Sequence, residues 1–422
     1  MKPIKAYLNL LKSRINMALR RDVLSNYPIY AVIEPTTVCN LRCPLCPTGF
    51  RLNLRQPRFI DWSLWKGILD DIGDYLFRLD MFNWGEPLLH KGTPEFVKYA
   101  KSKDIRVFVS SNLNAKLTEE YIQRLVESGL DFLVVSISGV TQETYEKYHR
   151  QGNISVVRDN MRRIQSAKRA LKIGTPTVKC KFLLFRHNEH EVDMANRCYK
   201  DWGADQIVVV PAFTDSSEYD KRFYKSCSVS ALEPSTIPEC DPSLKESPAR
   251  KPSDKNSNDV PCRWLYQGFV LNPNGKVSPC CAVWDEKDDF AEYSPASGFF
   301  AAYNSQRFQR ARKLFRKSRK EADVTADISL QEPPHNCGVA VNTSKVLACD
   351  KHVICSTCPA KWKSRVLNMP QSATSALQKT NANYLIAIII FIITGGRSAW
   401  AFAFRSAKAR LLGKLGKASE NR

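Results

Sequence analysis

The chain has 422 residues, of which 43% are hydrophobic, and a formal net charge of +21. A chain of this length can bury a large core and is expected to contain two domains. The positive charge lies mainly at the ends: residues 1–21 contain six Lys or Arg and no acid, and residues 361–422 contain eleven against Glu420 alone. A protein that bound nucleic acid through its folded domains would carry an excess of basic residues in them and not only at the chain ends. Nucleic acid is therefore not expected as a partner.

Fourteen cysteines are many for a chain with no segment typical of a secretory signal peptide. This combination argues against a disulfide framework and favours a reducing compartment, the cytoplasm, in which cysteines hold metal clusters. Cys180 and Cys198 fall in a predicted strand and a predicted helix, where a cysteine is ordinarily a small buried thiol of the core. We assign no role to them or to Cys227 and Cys240.

Residues 1–28 are expected to form a basic amphipathic helix. Its apolar residues recur at helical spacing, with Lys and Arg between them: Ile4, Tyr7, Leu8, Leu11, Ile15 and Leu19. Such a helix can lie on an anionic membrane surface, or it can pack on its own domain. The sequence leaves both alternatives open.

Strands and helices are predicted to alternate through residues 29–213. Strands are expected at 29–33, 79–84, 105–110, 132–137, 178–185 and 206–210. Helices are expected at 61–79, 93–103, 118–128, 156–171 and 189–202. Six β–α units with nearly continuous apolar strands indicate an α/β fold, a parallel sheet covered by helices. Because six units are too few for a closed eight-fold barrel, we predict a partial (β/α)6 barrel of the TIM type.

Three cysteines follow the first predicted strand, at Cys39, Cys43 and Cys46. Thiolates at this spacing can hold one corner of a cubane iron–sulfur cluster, whose usual ligand set is four cysteines. Three ligands leave one iron open to a small molecule. The alternative is a zinc knuckle, or unrelated cysteines of the core.

Polar residues also follow the next three strands. Gly85-Glu86-Pro87 comes after the second strand, Ser111-Asn112 after the third, and Ser136 ends the fourth. Because the carboxyl ends of parallel strands meet at one rim, where such folds build their active sites, these features are expected to share a site with the cysteines.

The spacing of Cys39, Cys43 and Cys46 resembles the Cx3Cx2C signature of the radical S-adenosylmethionine (SAM) enzymes. The resemblance implies a 4Fe–4S cluster whose open iron binds SAM. It also implies cleavage of SAM to a 5′-deoxyadenosyl radical, with the electron supplied by an external ferredoxin- or flavodoxin-like donor. No catalytic residue is implied beyond the cluster and SAM.

The resemblance extends over residues 29–212 and implies further SAM contacts. Asn83 to Pro87 resembles the family's glycine–glycine–glutamate motif, with Trp84 in the first glycine position, although Glu86 can also be a charge at a helix start. The implied SAM-binding residues are Gly85, Glu86, Asn112, Ser136, Ser138 and Arg150. Ser138 stands where the family has an acidic residue, and Arg150 matches an arginine that pairs with the SAM carboxylate.

The second half opens with a linker, residues 214–261, rich in Ser, Pro, Lys and Asp. Asn274-Gly275 then predicts a β-hairpin turn that brings Cys262 and Cys280 to one site. Cys355 and Cys358 form a pair spaced for one metal centre, for which zinc is the rival ion. This cysteine pattern resembles the opening of a SPASM domain, in a truncated, twitch-like form.

That resemblance implies a small cluster-binding domain over residues 262–365. Its auxiliary 4Fe–4S cluster would be held by Cys262, Cys280, Cys355 and Cys358. Cys281, Cys337 and Cys349 are either spare or help to hold a further cluster. Residues 366–422 form a basic tail whose apolar stretch, 384–404, is either an interfacial membrane anchor or a helix packed on the protein.

The sequence therefore predicts a radical SAM enzyme with two 4Fe–4S clusters and SAM as cofactors. We expect it to abstract hydrogen from an unknown substrate, in a two-electron oxidation of a sugar, an alcohol or a lipid-linked small molecule. A peptide-modifying maturase of the SPASM type is the alternative enzyme. A non-catalytic iron–sulfur or zinc regulator is the alternative outside enzymes. The expected location is the cytoplasm, with peripheral contact to the inner face of the cell membrane.

Overall fold

The structure is a computed structural model and describes residues 2–49, 55–211 and 261–315. All of these belong to one compact unit, Met1–Val366. The predicted linker, the later cysteines from Cys337 to Cys358 and the apolar stretch 384–404 lie outside the described residues.

Nine strands form one sheet in the order β6-β5-β4-β3-β2-β1-β7-β8-β9. Strands β1 to β6 run parallel to one another in chain order. They are Tyr30–Ile33, Arg78–Asp80, Arg106–Ser111, Phe132–Ile137, Thr177–Leu184 and Gln206–Pro211. The remaining strands are Val270–Leu271, Lys276–Ser278 and Ala291–Glu292. Six sequential parallel strands confirm the predicted partial (β/α)6 barrel.

The helices of the core lie between successive strands and cover the outside of the sheet. In chain order, α1 to α7 are Ile4–Ala18, Trp62–Ile72, Thr93–Ser102, Glu119–Glu127, Gln142–Tyr148, Ile154–Leu171 and Val192–Cys198. Three short helices follow, α8 to α10: Arg263–Gln267, Phe299–Tyr303 and Gln306–Lys313. The apolar face of α2, with Trp65, Ile68, Leu69 and Ile72, is fully buried, as helical periodicity requires of a covering helix.

The predicted hairpin forms at Asn274-Gly275, and Gly275 adopts a φ of +84°, which favours glycine. Its first strand, β7, also pairs in parallel with β1, with Val32 beside Val270. The hairpin therefore continues the barrel sheet. The boundaries predicted for the second domain remain a prediction.

Helix α1 packs on its own domain, but through its less apolar side. The residues it buries are Ala6, Asn9, Leu10, Ser13 and Asn16. Asn9 accepts a hydrogen bond from the backbone N–H of Tyr27 at 2.7 Å and donates one to its carbonyl at 2.9 Å. Lys2 is buried and donates to the carbonyls of Gly73 and Lys103.

The two ends of the predicted apolar stripe of α1 are exposed, whereas Tyr7, Leu8 and Leu11 in its middle are half-buried, and Tyr7 packs against Phe77. Ile4 is 69% exposed, Ile15 46% and Leu19 60%, and Val23 beyond the helix is 57% exposed. Within the described ranges, no helix has both the length and the apolar character to cross a membrane.

Candidate functional site

The three cysteines lie on the loop that follows β1, and each is a half-buried free thiol. Burial raises the pKa of Cys39 to about 12 and also raises the pKa values of Cys43 and Cys46. The charges of Cys39 and Cys46 add to the upward shift of the Cys43 pKa. Soft thiolates are the ligands that an iron–sulfur cluster prefers. The loop therefore fits such a cluster.

Close backbone packing fixes the shape of this loop. A Cβ atom on Gly49 would lie 2.3 Å from the carbonyl oxygen of Cys43. The backbone N–H of Cys46 donates to the same carbonyl at 3.2 Å. Cys46 and Gly49 therefore turn back onto the backbone of Cys43.

The loop after β2 lies directly against the cysteine loop at Gly85. A Cβ atom at this position would lie 1.8 Å from the carbonyl oxygen of Thr36, a distance that no side chain can accommodate. Glu86 continues the contact, because its backbone N–H donates to the carbonyl of Val38 at 2.8 Å. The single glycine retained in the predicted SAM-binding motif is therefore required by the approach of two backbones.

Glu34, at the end of β1, holds these two loops together and was missed by the sequence analysis. Its Oε1 accepts hydrogen bonds from the backbone N–H groups of Trp84 at 2.6 Å and Gly85 at 2.7 Å. The residue is fully buried, and its Oε2 has no hydrogen-bond partner among the residues that the structure describes. Burial raises the pKa of Glu34 to about 7, although the two donors oppose the shift. No signal in a single sequence could have found it, because one acid after an apolar strand forms no pattern.

Glu86 is buried and reaches the end of β3. Its Oε1 accepts from the hydroxyl of Ser111 at 2.7 Å and from the N–H of Leu88 at 3.0 Å, and its Oε2 accepts from the N–H of Asn112 at 2.7 Å. Burial raises the pKa of Glu86 to about 7. A carboxylate has about four acceptor positions, so Glu86 can accept one more donor at the rim.

Asn112 connects the third strand end to the cysteines. Its side-chain amide donates to the Sγ of Cys39 at 3.7 Å and to the Oδ1 of Asn40 at 3.1 Å. Hydrogen bonds to ligand sulfurs are one means by which a protein adjusts a cluster's potential. Asn112 therefore contacts the cysteine loop through a thiol, and its contact with SAM stays a prediction.

Arg150 is exposed, and its backbone carbonyl accepts from the N–H of Arg42 in the cysteine loop at 3.0 Å. The structure thus brings its main chain to the site.

The two predicted serines of β4 and its turn differ in environment. Ser136 is half-buried on the inward side of the strand. Ser138 is fully buried, and its hydroxyl bonds to the Nδ1 of His149 at 2.6 Å and to the carbonyl of Tyr145 at 3.1 Å. Burial lowers the pKa of His149 to about 3, so this ring is neutral. A SAM contact by Ser138 would require these internal hydrogen bonds to be exchanged.

The hairpin region contacts the same rim. The indole N–H of Trp84 donates to the carbonyl of Val283 at 3.2 Å, three residues beyond Cys280. Arg55 forms a buried two-point ion pair with Asp289, at 2.7 and 2.8 Å. Cys262 and Cys280 are half-buried. Cys355 and Cys358, their predicted partners, lie outside the described residues.

Comparison with known proteins identifies the core. The family model of the Radical SAM superfamily matches residues 33–197. Residues 33–197 are a radical SAM domain. The cofactors of such a domain are a 4Fe–4S cluster and SAM, and the cysteine loop offers three free thiols for the cluster.

Two curated relatives are similar to parts of this chain. A probable GTP 3',8-cyclase of Methanococcus maripaludis is 29% identical over 148 residues, 35% of this chain and 47% of the relative. A PqqA peptide cyclase of Bradyrhizobium diazoefficiens is 24% identical over 270 residues, 61% of this chain and 67% of the relative. The chain thus spans about half the length of the first of these relatives.

Among solved structures, Streptococcus suis SuiB bound to S-adenosylmethionine has a TM-score of 0.44 and 16% identity, over 65% of this chain and 64% of that chain. BtrN in complex with AdoMet and 2-DOIA has a TM-score of 0.40 and 16% identity, over 69% of this chain and 88% of that chain.

Glu34→Gln should change how the free energy of unfolding depends on pH. The folded-state pKa of about 7 exceeds the ordinary 4.5, so folded wild type keeps a proton that the unfolded chain loses. The contribution of Glu34 to stability is therefore greatest below pH 4.5 and declines as the pH rises to 7. A glutamine at this position accepts hydrogen bonds from the same two N–H groups but does not titrate. The free energy of unfolding of the variant, relative to that of wild type, should therefore rise by on the order of 3 kcal/mol between about pH 5 and 7.5.

Urea unfolding of the reduced apoprotein at both pH values, followed by circular dichroism, measures this difference. Glu143→Gln, at a side chain 85% exposed, is the matched control and should show no such rise. Parallel pH curves for Glu34→Gln and wild type would contradict the assignment.

Proposed function

We propose that this chain is an enzyme that reductively cleaves SAM and abstracts a hydrogen atom from an organic substrate. The observation that carries the proposal is the meeting of Cys39, Asn112 and Glu86 at the ends of three successive parallel strands. The backbone N–H of Asn112 donates to Glu86 at 2.7 Å, and its side-chain amide donates to the Sγ of Cys39 at 3.7 Å, so these strand ends are joined by hydrogen bonds. When bound, the cluster and SAM would supply the 5′-deoxyadenosyl radical, with one electron from a ferredoxin- or flavodoxin-like donor.

The residues of this chain would bind and orient SAM. Cys39, Cys43 and Cys46 would hold the cluster. Glu86 has one acceptor position left for the SAM amino group, and the backbone of Gly85 lies next to it. Arg150 is placed beside the cysteine loop through its main chain, so its guanidinium could pair with the SAM carboxylate. Ser136 and Asn112 would contact the rest of the molecule from their strand ends.

A two-electron oxidation is the reaction that we favour. One hydrogen atom of the substrate would leave with 5′-deoxyadenosine, and one proton and one electron would follow, the electron to an auxiliary cluster. That cluster would be bound by Cys262, Cys280, Cys355 and Cys358. The hydrogen bond from Trp84 to the carbonyl of Val283 supports this assignment, because it joins the segment after Cys280 to the loop after β2, which is proposed to bind SAM. A zinc ion at these four cysteines is the alternative.

A second candidate function is the modification of a peptide. It is favoured by the PqqA peptide cyclase relative, whose alignment covers 61% of this chain. A peptide substrate would use the same rim and the same radical chemistry. The substrate and its site of hydrogen loss distinguish the two functions.

Anaerobic reconstitution tests the proposal. The chain should bind about eight irons with equal labile sulfide, because each of two cubane clusters contains four. Replacing Cys39, Cys43 and Cys46 with Ala should remove one cluster and all release of 5′-deoxyadenosine from SAM. Cys180→Ala, at a buried thiol away from the loop, is the control and should keep both clusters. Zinc without labile sulfide would instead indicate a non-catalytic metal protein.

Glu86→Gln and Arg150→Ala should weaken SAM binding without reducing iron content. Loss of a charge-assisted contact costs roughly 1.5–3 kcal/mol, about a 10- to 150-fold rise in Kd. Equilibrium dialysis of reconstituted protein with labelled SAM measures the effect. Arg186→Ala, at an exposed arginine after β5, serves as the charge control. If neither variant changes the affinity, these residues are not SAM ligands.

We further propose peripheral attachment to the cytoplasmic face of an anionic membrane through α1. Helix α1 buries Asn9, Ser13 and Asn16 together with Ala6 and Leu10, while Ile4 and Ile15 of the helix and Leu19 after it stay exposed. Part of its apolar surface is therefore not used by its own core. Lys12 and Arg21 are exposed beside this stripe. An apolar stripe bordered by cations matches a lipid surface with anionic headgroups. The basic tail 366–422 would add to the attachment.

Flotation with liposomes tests this attachment. Binding should require anionic lipid and fall at high salt, because each basic residue contributes about 1 kcal/mol that salt screens. Leu19→Glu should lower binding at least about tenfold, since a buried leucine contributes about 1.5–3 kcal/mol. Met194→Glu, at another exposed apolar residue, is the control. Deletion of residues 380–422 should lower binding further. Full-length protein that stays unbound on anionic liposomes at low salt would exclude the attachment.

A further inference from the structure

Along β4 and β5, the residues on the inward side of the barrel are only half-buried. On both strands burial alternates residue by residue: Val135, Ile137, Cys180 and Phe182 are fully buried, and their neighbours are only half-buried. Alternate residues of a barrel strand face outward to the helices and inward to the lumen. The half-buried set, which includes Ser136, therefore lines an accessible interior.

Two lysines of β5 belong to this inward set. Lys181 lies beside Ser136 of β4 and Val208 of β6, and Lys179 lies one layer below, beside Val134 and Gln206. Among the described residues, neither lysine has a side-chain hydrogen bond or an ion pair. Burial lowers the pKa of Lys181, and no nearby carboxylate offsets the shift.

The acidic groups of the interior are already engaged. Asp80 accepts from Arg78 at 2.6 Å and from the hydroxyl of Tyr30 at 2.7 Å. Glu34 and Glu86 are held by the backbone N–H groups of the rim. Among the residues that the structure describes, the two lysines are thus left without a counter-charge.

The amino-terminal end of the interior is closed by stacked groups. Phe108 and Phe132 stack with their ring centroids 4.6 Å apart. The guanidinium groups of Arg78 and Arg106 lie 3.6 and 4.9 Å from the centroids of Phe108 and Phe132, respectively. A ligand would therefore enter from the rim and meet Lys181 before Lys179.

We propose that Lys181, with Lys179 below it, binds an oxyanion of the substrate, a carboxylate or a phosphate, inside the barrel. A desolvated ammonium without a partner is unfavourable, and an anionic ligand supplies both the missing charge and the hydrogen-bond acceptors. Lysine binds such groups as a compact point charge with three donors. The inference rests on the proposed function, because it places the substrate beside Ser136, where SAM would be bound from the rim.

The site predicts protection of Lys181 by a small oxyanion. Reconstituted protein with SAM bound is treated with a limiting acetylating reagent, and acetylation is located by peptide mass spectrometry. Inorganic phosphate should lower the acetylation of Lys181 several-fold relative to chloride at equal ionic strength. Exposed Lys66 should be unaffected. Equal acetylation of Lys181 in phosphate and in chloride would overturn the proposal.

The same measurement separates the substrate from SAM as the source of the anion. If SAM alone protects Lys181 as fully as phosphate does, the lysine binds the SAM carboxylate and the substrate assignment is wrong. Lys181→Met should weaken phosphate binding at least about tenfold in equilibrium dialysis, while the Kd for SAM stays within a factor of about three. Lys181→Arg should keep phosphate binding, and Lys66→Met is the charge control.

The acetylation test uses wild-type protein, so its result does not depend on whether the Lys181→Met variant folds. If the protein cleaves SAM but phosphate does not protect Lys181, only the oxyanion site is rejected. If the protein does not cleave SAM, the proposed function is rejected, and the acetylation of Lys181 alone decides whether the oxyanion site exists.

Discussion

The contact of Gly85 with Thr36 is the constraint on which the candidate site depends. Two backbones meet where a Cβ atom would lie 1.8 Å from a carbonyl oxygen, so the loops after β1 and β2 can take only one relative position. Glu34 completes the junction with two hydrogen bonds to the second loop. Once the loops are joined, Glu86 reaches the end of β3 and Asn112 reaches Cys39. Three strand ends are thereby organised by one close approach.

The acids at this junction are buried, which affects their chemistry. Burial raises the pKa values of both Glu34 and Glu86 to about 7. Each is held by backbone N–H groups, whose positions are set by the fold and do not depend on rotamers. Donors and acceptors that are positioned in this way by the fold need little rearrangement when a charged ligand arrives.

The sequence predicted the barrel and the cysteine loop because both carry strong local patterns. Apolar strands alternate with periodic helices, and three cysteines at short spacing are typical of a metal or cluster site. Glu34 and Lys181 were not predicted, because each is a single polar residue in or after an apolar strand and its partners are distant in the chain. The pairing of β7 with β1 was also missed, since a two-residue strand has no periodicity to read. For α1, the pattern predicted the apolar stripe, but only the packing of Asn9 and Ser13 shows which side faces the protein.

The pairing of β7 with β1 also affects which fragments of the chain are expected to stay soluble on their own. The backbone N–H groups of Ile29, Val32 and Glu34 all donate to carbonyls of residues 267–271. A chain ending before Pro261 would present these groups to solvent, as an unprotected edge next to the cysteine loop. Exposed edges of this kind recruit strands from other molecules and lead to aggregation. The radical SAM domain is continuous in sequence, but its strand β1 is covered by residues 267–271, which come later in the chain. We therefore expect the domain to aggregate when these residues are removed.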